Sequence, residues 1–130
     1  MSKVIKINHV AIAVPDLDES MHFWKDVLGL ELDHVENVPS QKSEVAFFPI
    51  GDSEIELVHP TEAGTGVSKF LEKRGPGIHH LCLEVDNIVE TLEMMKEKGT
   101  RLINEEPMEL PGRKMAFVHL RDRSGIAQLT

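Results

Sequence analysis

One cysteine in 130 residues excludes a disulfide within the chain, and Cys82, set in an apolar strand, reads as a small core residue. No apolar run approaches the roughly 18–20 residues of a membrane span. The first residues lack the apolar stretch of a secretion signal. Basic charge is scarce too: 14 Lys and Arg stand against 22 Asp and Glu, a formal net charge of −8. A general nucleic-acid surface is therefore not expected. Together these shortages point to a soluble, cytoplasmic protein that binds neither nucleic acid nor membrane, with length enough for one domain and its own core. Local basic clusters remain at Lys69, Lys73 and Arg74 and at Arg113 and Lys114. They read either as solvated surface or as a docking edge for a phosphorylated or carboxylated small molecule.

What the chain does contain is a repeat. Asn8-His9-Val10-Ala11-Ile12-Ala13-Val14 returns as His79-His80-Leu81-Cys82-Leu83-Glu84-Val85, with His9 and His80 71 residues apart. At the same offset Leu17, Met21 and Trp24 become Ile88, Leu92 and Met95. Each triplet falls at i, i+4 and i+7, one face of a helix. Amphipathic helices after apolar strands are common, but here the strand, the histidine, the helix face and the later strands all keep nearly one offset. Duplication is the better account.

The local signals place a strand over 5–14, opened by polar Asn8-His9 and closed at Pro15-Asp16. A helix follows to about Leu28, capped by Asp16 with Glu19 three residues on, and stopped at Gly29. Strands are expected over 30–36, 43–50 and 53–59, with a turn at Gly51-Asp52. In the last of these Glu54, Glu56 and Val58 share one face. Residues 60–77, punctuated by Pro and Gly, form a linker with a short helix near 67–73. The pattern then restarts: strand 78–86, helix 87–98, Gly99, and strands 101–104, 114–120 and 125–129. Each half reads β-α-β-β-β.

A strand histidine taken alone is usually a hydrogen-bonded core residue. Two at matching positions of a repeat can converge on one site. Glu56 lies 47 residues after His9 and Gln128 lies 48 after His80, each on the last strand of its half. Each half so offers one imidazole and one oxygen donor, a set suited to a divalent transition ion with coordination positions open to a substrate oxygen. The strict offset puts Ala127 opposite Glu56, so Gln128 requires a one-residue slip. His79 and His80 are strand neighbours and point to opposite faces, so one of the two can ligate. His22, His34, His59 and His119 have no repeat partner; His119 is the best placed of these to reach the site.

The phrases NHVAIAVPDLDESMHFWKDVLGLEL, IELVHP, FLEKRGPGIHHLCLEVDNI and FVHLRD together resemble the methylmalonyl-CoA epimerase family of the vicinal oxygen chelate superfamily. That superfamily also holds glyoxalase I, ring-cleaving dioxygenases, fosfomycin-resistance enzymes and bleomycin-binding proteins. The resemblance covers nearly the whole chain. It implies an α+β fold of two tandem βαβββ modules forming an open curved sheet around a metal site. The single domain would span residues 1–130, with modules at about 5–59 and 78–130 joined by 60–77. Whether the modules pair within a chain or swap across a dimer is left open. The implied metal ligands are His9, Glu56 and His80, with Gln128 standing where the family has a glutamate. The implied ion is Co2+ first, with Ni2+, Zn2+ and Mn2+ as alternatives. A homodimer acting on an acyl-CoA substrate is expected, interconverting (R)- and (S)-methylmalonyl-CoA through an enolate. Two family glutamates move the protons. One falls on Glu44 in SQKSEVAFF. The other falls on Gln128, whose amide has no accessible protonation equilibrium, which makes Glu56 the candidate second base. Two other readings stand beside this one: a glyoxalase I-type isomerase, and a metal-free small-molecule-binding protein of the same superfamily.

Overall fold

The computed structural model describes residues 2–119 and 126–130. The fold is α+β, as the sequence leads one to expect, and forms two compact bodies. One comprises His9–His79; the other comprises the residues up to Asn8 together with His80–Thr130.

The first body begins within β1 (Val4–Ala13) and continues through α1 (Leu17–Met21), β2 (His34–Val38), β3 (Ser43–Ile50), β4 (Ser53–Pro60) and α2 (Gly66–Arg74). Its strands lie in the order β2-β3-β4-β1. β1 runs parallel to β4, and the other neighbours are antiparallel. Asp16 caps α1 by accepting the Glu19 N–H at 3.1 Å. The helix does not stay α to its end. His22–Val27 is π-wound, with the Leu28 N–H reaching back to the Phe23 carbonyl at 3.0 Å, and Gly29 at φ +78° ends it. Leu17, Met21 and Trp24 pack together on Ala46, Phe48 and Leu57, the face foreseen from their spacing. The opposite face of the same strands holds Ala11, Val45 and Val58, and α2 lays Val67 against it.

The second body takes up the chain within β5 (Gly77–Val85), at His80, and repeats the plan with α3 (Ile88–Glu97), β6 (Met108–Leu110), β7 (Arg113–His119) and β8 (Ile126–Leu129). Its order is β5-β8-β7-β6, with β5 parallel to β8. Ile88, Leu92 and Met95 of α3 pack on Ala116, Val118, Ala127 and Leu129. Asn87 caps α3 through the Glu90 N–H. Ser2 and the Lys3 N–H tie the chain's start to Asp86 at 2.8 and 2.9 Å, and these donors hold the Asp86 carboxyl below its ordinary range.

Two expected strands differ. Residues 30–32 do not join the sheet; Leu30 and Leu32 pack into the α1-side core, and β2 starts at His34. Residues 101–104 make an isolated bridge, Leu102 to Val118, in place of a strand. The cause is Asn104. Its side-chain oxygen takes the Phe117 N–H at 2.8 Å, while the Ile103 and Asn104 N–H groups both donate to the Phe117 carbonyl at 3.1 and 3.0 Å. A side chain thus replaces a ladder partner, and the strand paired to β7 forms further on as β6. The turn expected between strands 114–120 and 125–129 lies outside the described residues.

Candidate functional site

In the first body β1 and β4 are parallel with Ala11 opposite Glu56. Strand alternation then puts His9, one step back on the face of Ala11, beside Glu56. The His9 Nδ1 lies 3.1 Å from the Glu56 carboxylate oxygen, with His9 3 % exposed. The pair is almost withdrawn from water, where a polar contact between imidazole and carboxylate is strongest. β3 adds Phe47, opposite Glu56, and buried Ser43 to the same face.

The second body reproduces the row. β5 and β8 are parallel with Cys82 opposite Gln128, and His80 stands one step back on the face of Cys82. On β7, Phe117 is opposite Gln128. Ala11–Glu56–Phe47 in one body therefore corresponds to Cys82–Gln128–Phe117 in the other. Gln128, not Ala127, is the counterpart of Glu56, so the one-residue slip is real. Ala127 faces the α3 core instead. Gln128 is 4 % exposed, and its amide nitrogen lies 3.7 Å from the Met115 sulfur, a weak acceptor. The His80 ring meets Phe117 edge-on, with centroids 5.5 Å apart.

His79 and His80 diverge as neighbouring strand residues must. The His79 ring packs edge-on to Phe70 of α2 at 5.1 Å, and burial pushes its imidazole below the ordinary value. His119 follows His80 and Ile126 in one row of pairs on the donor face. His22 pairs with Asp26, and His34 stacks on Phe47, which stands between it and Glu56 in one row of the sheet. His59 reaches the Val14 carbonyl at 3.2 Å.

Glu44 lies on the opposite side of β3 from Glu56. It pairs with His59 in the β3–β4 ladder and shares its face with Ala46 and Phe48, the α1-packed side of the sheet. Period-2 alternation separates it from Glu56 by the thickness of the strand. Phe47 and Phe117, by contrast, were not singled out from the sequence. Their spacing of 70 residues carried the signal.

A cation liganded at about 2.1 Å by two donors at right angles holds them about 3 Å apart. The 3.1 Å His9–Glu56 separation is a direct imidazole–carboxylate contact, and it is no wider than that edge. Two imidazoles, a carboxylate and an amide oxygen form a suitable donor set for a divalent transition ion. Among the described residues no three His, Cys, Asp or Glu side chains gather into a ready cage. A cleft of about 360 Å3 in the second body is lined by Leu92, Glu93, Lys96, Glu105, Glu109 and Lys114. It sits on the α3 side of the sheet and is acidic, so it does not belong to the donor face. Lys69, Lys73 and Arg74 are exposed on α2. Among the described residues no helix is long and apolar enough to cross a membrane.

Residues 8–117 match the profile of the Glyoxalase/Bleomycin resistance protein/Dioxygenase superfamily. The mitochondrial methylmalonyl-CoA epimerase of Mus musculus is 36% identical over 95% of this chain and 71% of its own length. An ethylmalonyl-CoA/methylmalonyl-CoA epimerase of Cereibacter sphaeroides is 36% identical over 92% of both chains. A solved Streptomyces coelicolor methylmalonyl-CoA epimerase, in complex with 2-nitronate-propionyl-CoA, superposes with a TM-score of 0.88 at 28% identity, covering 98% of this chain and 94% of the other. The chain belongs to the glyoxalase/bleomycin resistance protein/dioxygenase superfamily and, within it, to the methylmalonyl-CoA epimerase family.

Proposed function

We propose that the chain interconverts (R)- and (S)-methylmalonyl-CoA, with His9, Glu56, His80 and Gln128 holding a divalent cation. The observation that carries this reading is the matched row in each body, an imidazole beside an oxygen donor at equivalent register. The epimerase relatives support the substrate class. A homodimer in the cytoplasm, using cobalt, is the form in which we expect it to act.

Epimerisation takes a proton from the α-carbon and returns one to its other face. When bound, the cation supplies Lewis-acid stabilisation of the negative charge that develops on the thioester oxygen. The side chains divide the remaining work. His9 and His80 are neutral nitrogen donors. The Gln128 amide offers an oxygen but cannot carry the proton. Glu44 lies on the other face of its sheet. Glu56 is thus the carboxylate suited to take the α-proton, and solvent would return one to the opposite face of the planar enolate. Incubating the cobalt-supplied protein with one epimer in deuterated water is expected to yield α-deuterated substrate and the other epimer. Intact α-protium with cobalt present would overturn the reading. Turnover of methylglyoxal with glutathione would favour the glyoxalase I-type alternative.

A further inference from the structure

We propose that Phe117 is the wall that limits how large an α-substituent this chain accepts; the inference rests on the epimerase reading. Each body sets a phenylalanine directly beside its oxygen donor, Phe47 by Glu56 and Phe117 by Gln128. The two rings are equivalent in register but not in use. Phe47 is stacked flat on His34, with centroids 4.4 Å apart and planes 12° apart, and packs into the Ala11–Val45–Val58 cluster. One face of its ring is taken up by His34. Phe117 leans the other way, edge-on to His80 at 90°. It is half-buried and takes no part in the α3-side core.

Nor can Phe117 easily retreat. Its N–H is held by the Asn104 side chain, and its carbonyl accepts two N–H groups, from Ile103 and Asn104. Met115, two residues back on the same face, is 1 % exposed and carries the sulfur that faces the Gln128 amide. A substrate whose oxygens approach the His80–Gln128 row therefore meets a fixed aromatic surface with its apolar α-substituent. Methyl and ethyl differ there by one methylene, which an apolar wall can discriminate by about 10–200-fold. The Cereibacter sphaeroides relative is named for both acyl groups, so the acyl range is a property that relatives at this identity can vary.

The test compares methylmalonyl-CoA with ethylmalonyl-CoA in wild type, Phe117→Leu, Phe117→Trp and Phe47→Leu. Two readouts are taken: kcat/KM for α-proton exchange and calorimetric affinity. Phe117→Leu is expected to move the ethyl-to-methyl ratio towards ethyl by about tenfold, and Phe117→Trp to move it the other way. Phe47→Leu is expected to hold the ratio within about twofold. An unchanged ratio in both Phe117 variants, each melting cooperatively, overturns the proposal. If wild type exchanges neither substrate, the epimerase reading fails, while the affinity ratios still decide whether Phe117 is the wall.

Discussion

Glu56→Gln is expected to slow α-proton exchange by about a thousandfold while the protein keeps its fold. The substitution preserves shape and leaves an amide oxygen to face the His9 Nδ1, 3.1 Å from the present carboxylate. The His9 Nδ1 keeps an oxygen opposite it, so the structural cost is expected to be small. What disappears is the basic oxygen, together with the negative charge that a cation would attract. The register allows a sharper form of the experiment. Gln128 occupies the position in the second body that Glu56 occupies in the first. Adding Gln128→Glu to Glu56→Gln moves the carboxylate from one row to its counterpart. The double variant is expected to regain more than about tenfold of the lost exchange. Wild-type exchange in Glu56→Gln would assign proton transfer elsewhere.

Phe48→Ala is expected to cost about 3–5 kcal/mol of stability, read as a lower midpoint in chemical denaturation. Phe48 is fully buried at the centre of the cluster formed by Val14, Leu17, Ala46 and Leu57, with Met21, Trp24 and Leu32 packed around it. Removing the ring leaves a void among groups held by α1 on one side and three strands on the other, so little can collapse into it. The effect reaches the site through register. Phe48 precedes Pro49 on β3 and pairs with Ile55, while its neighbour Phe47 pairs with Glu56 on the other face. A cost below about 1 kcal/mol would mean that this cluster does not hold the strand pair that presents Glu56.

Much of this was legible because two periods write themselves directly into a sequence. The 3.6-residue period picked out Leu17, Met21 and Trp24 and then Ile88, Leu92 and Met95, and all six pack as expected. The π-wound stretch escaped notice because the same spacing satisfies either winding over so few residues. The duplicated strand showed where to look for His9 and His80. The side of the sheet that Glu44 takes was not legible because adjacent strand residues differ only in parity. Nothing within Ser43-Glu44-Val45 states that parity until the ladder with β4 is known. The offset of Gln128 was visible as a slip. Phe117 falls one residue short of the 71-residue offset and Gln128 one beyond it, so the two stand 11 residues apart where Phe47 and Glu56 stand 9 apart. The missing strand at 101–104 depends on the Asn104 side chain bonding to Phe117, a contact between residues far enough apart that no local pattern announces it.

On the proposed reading, each half of the repeat gives one imidazole and one oxygen to a single cation. Titrating the protein with Co2+ while following its visible absorption tests that most directly, because the spectrum reports the ligands and needs no turnover. Wild type is expected to bind one Co2+ per chain, and His9→Ala and His80→Ala are each expected to weaken it by at least about tenfold and alter the spectrum. Binding that survives unchanged without His80 would contradict the account.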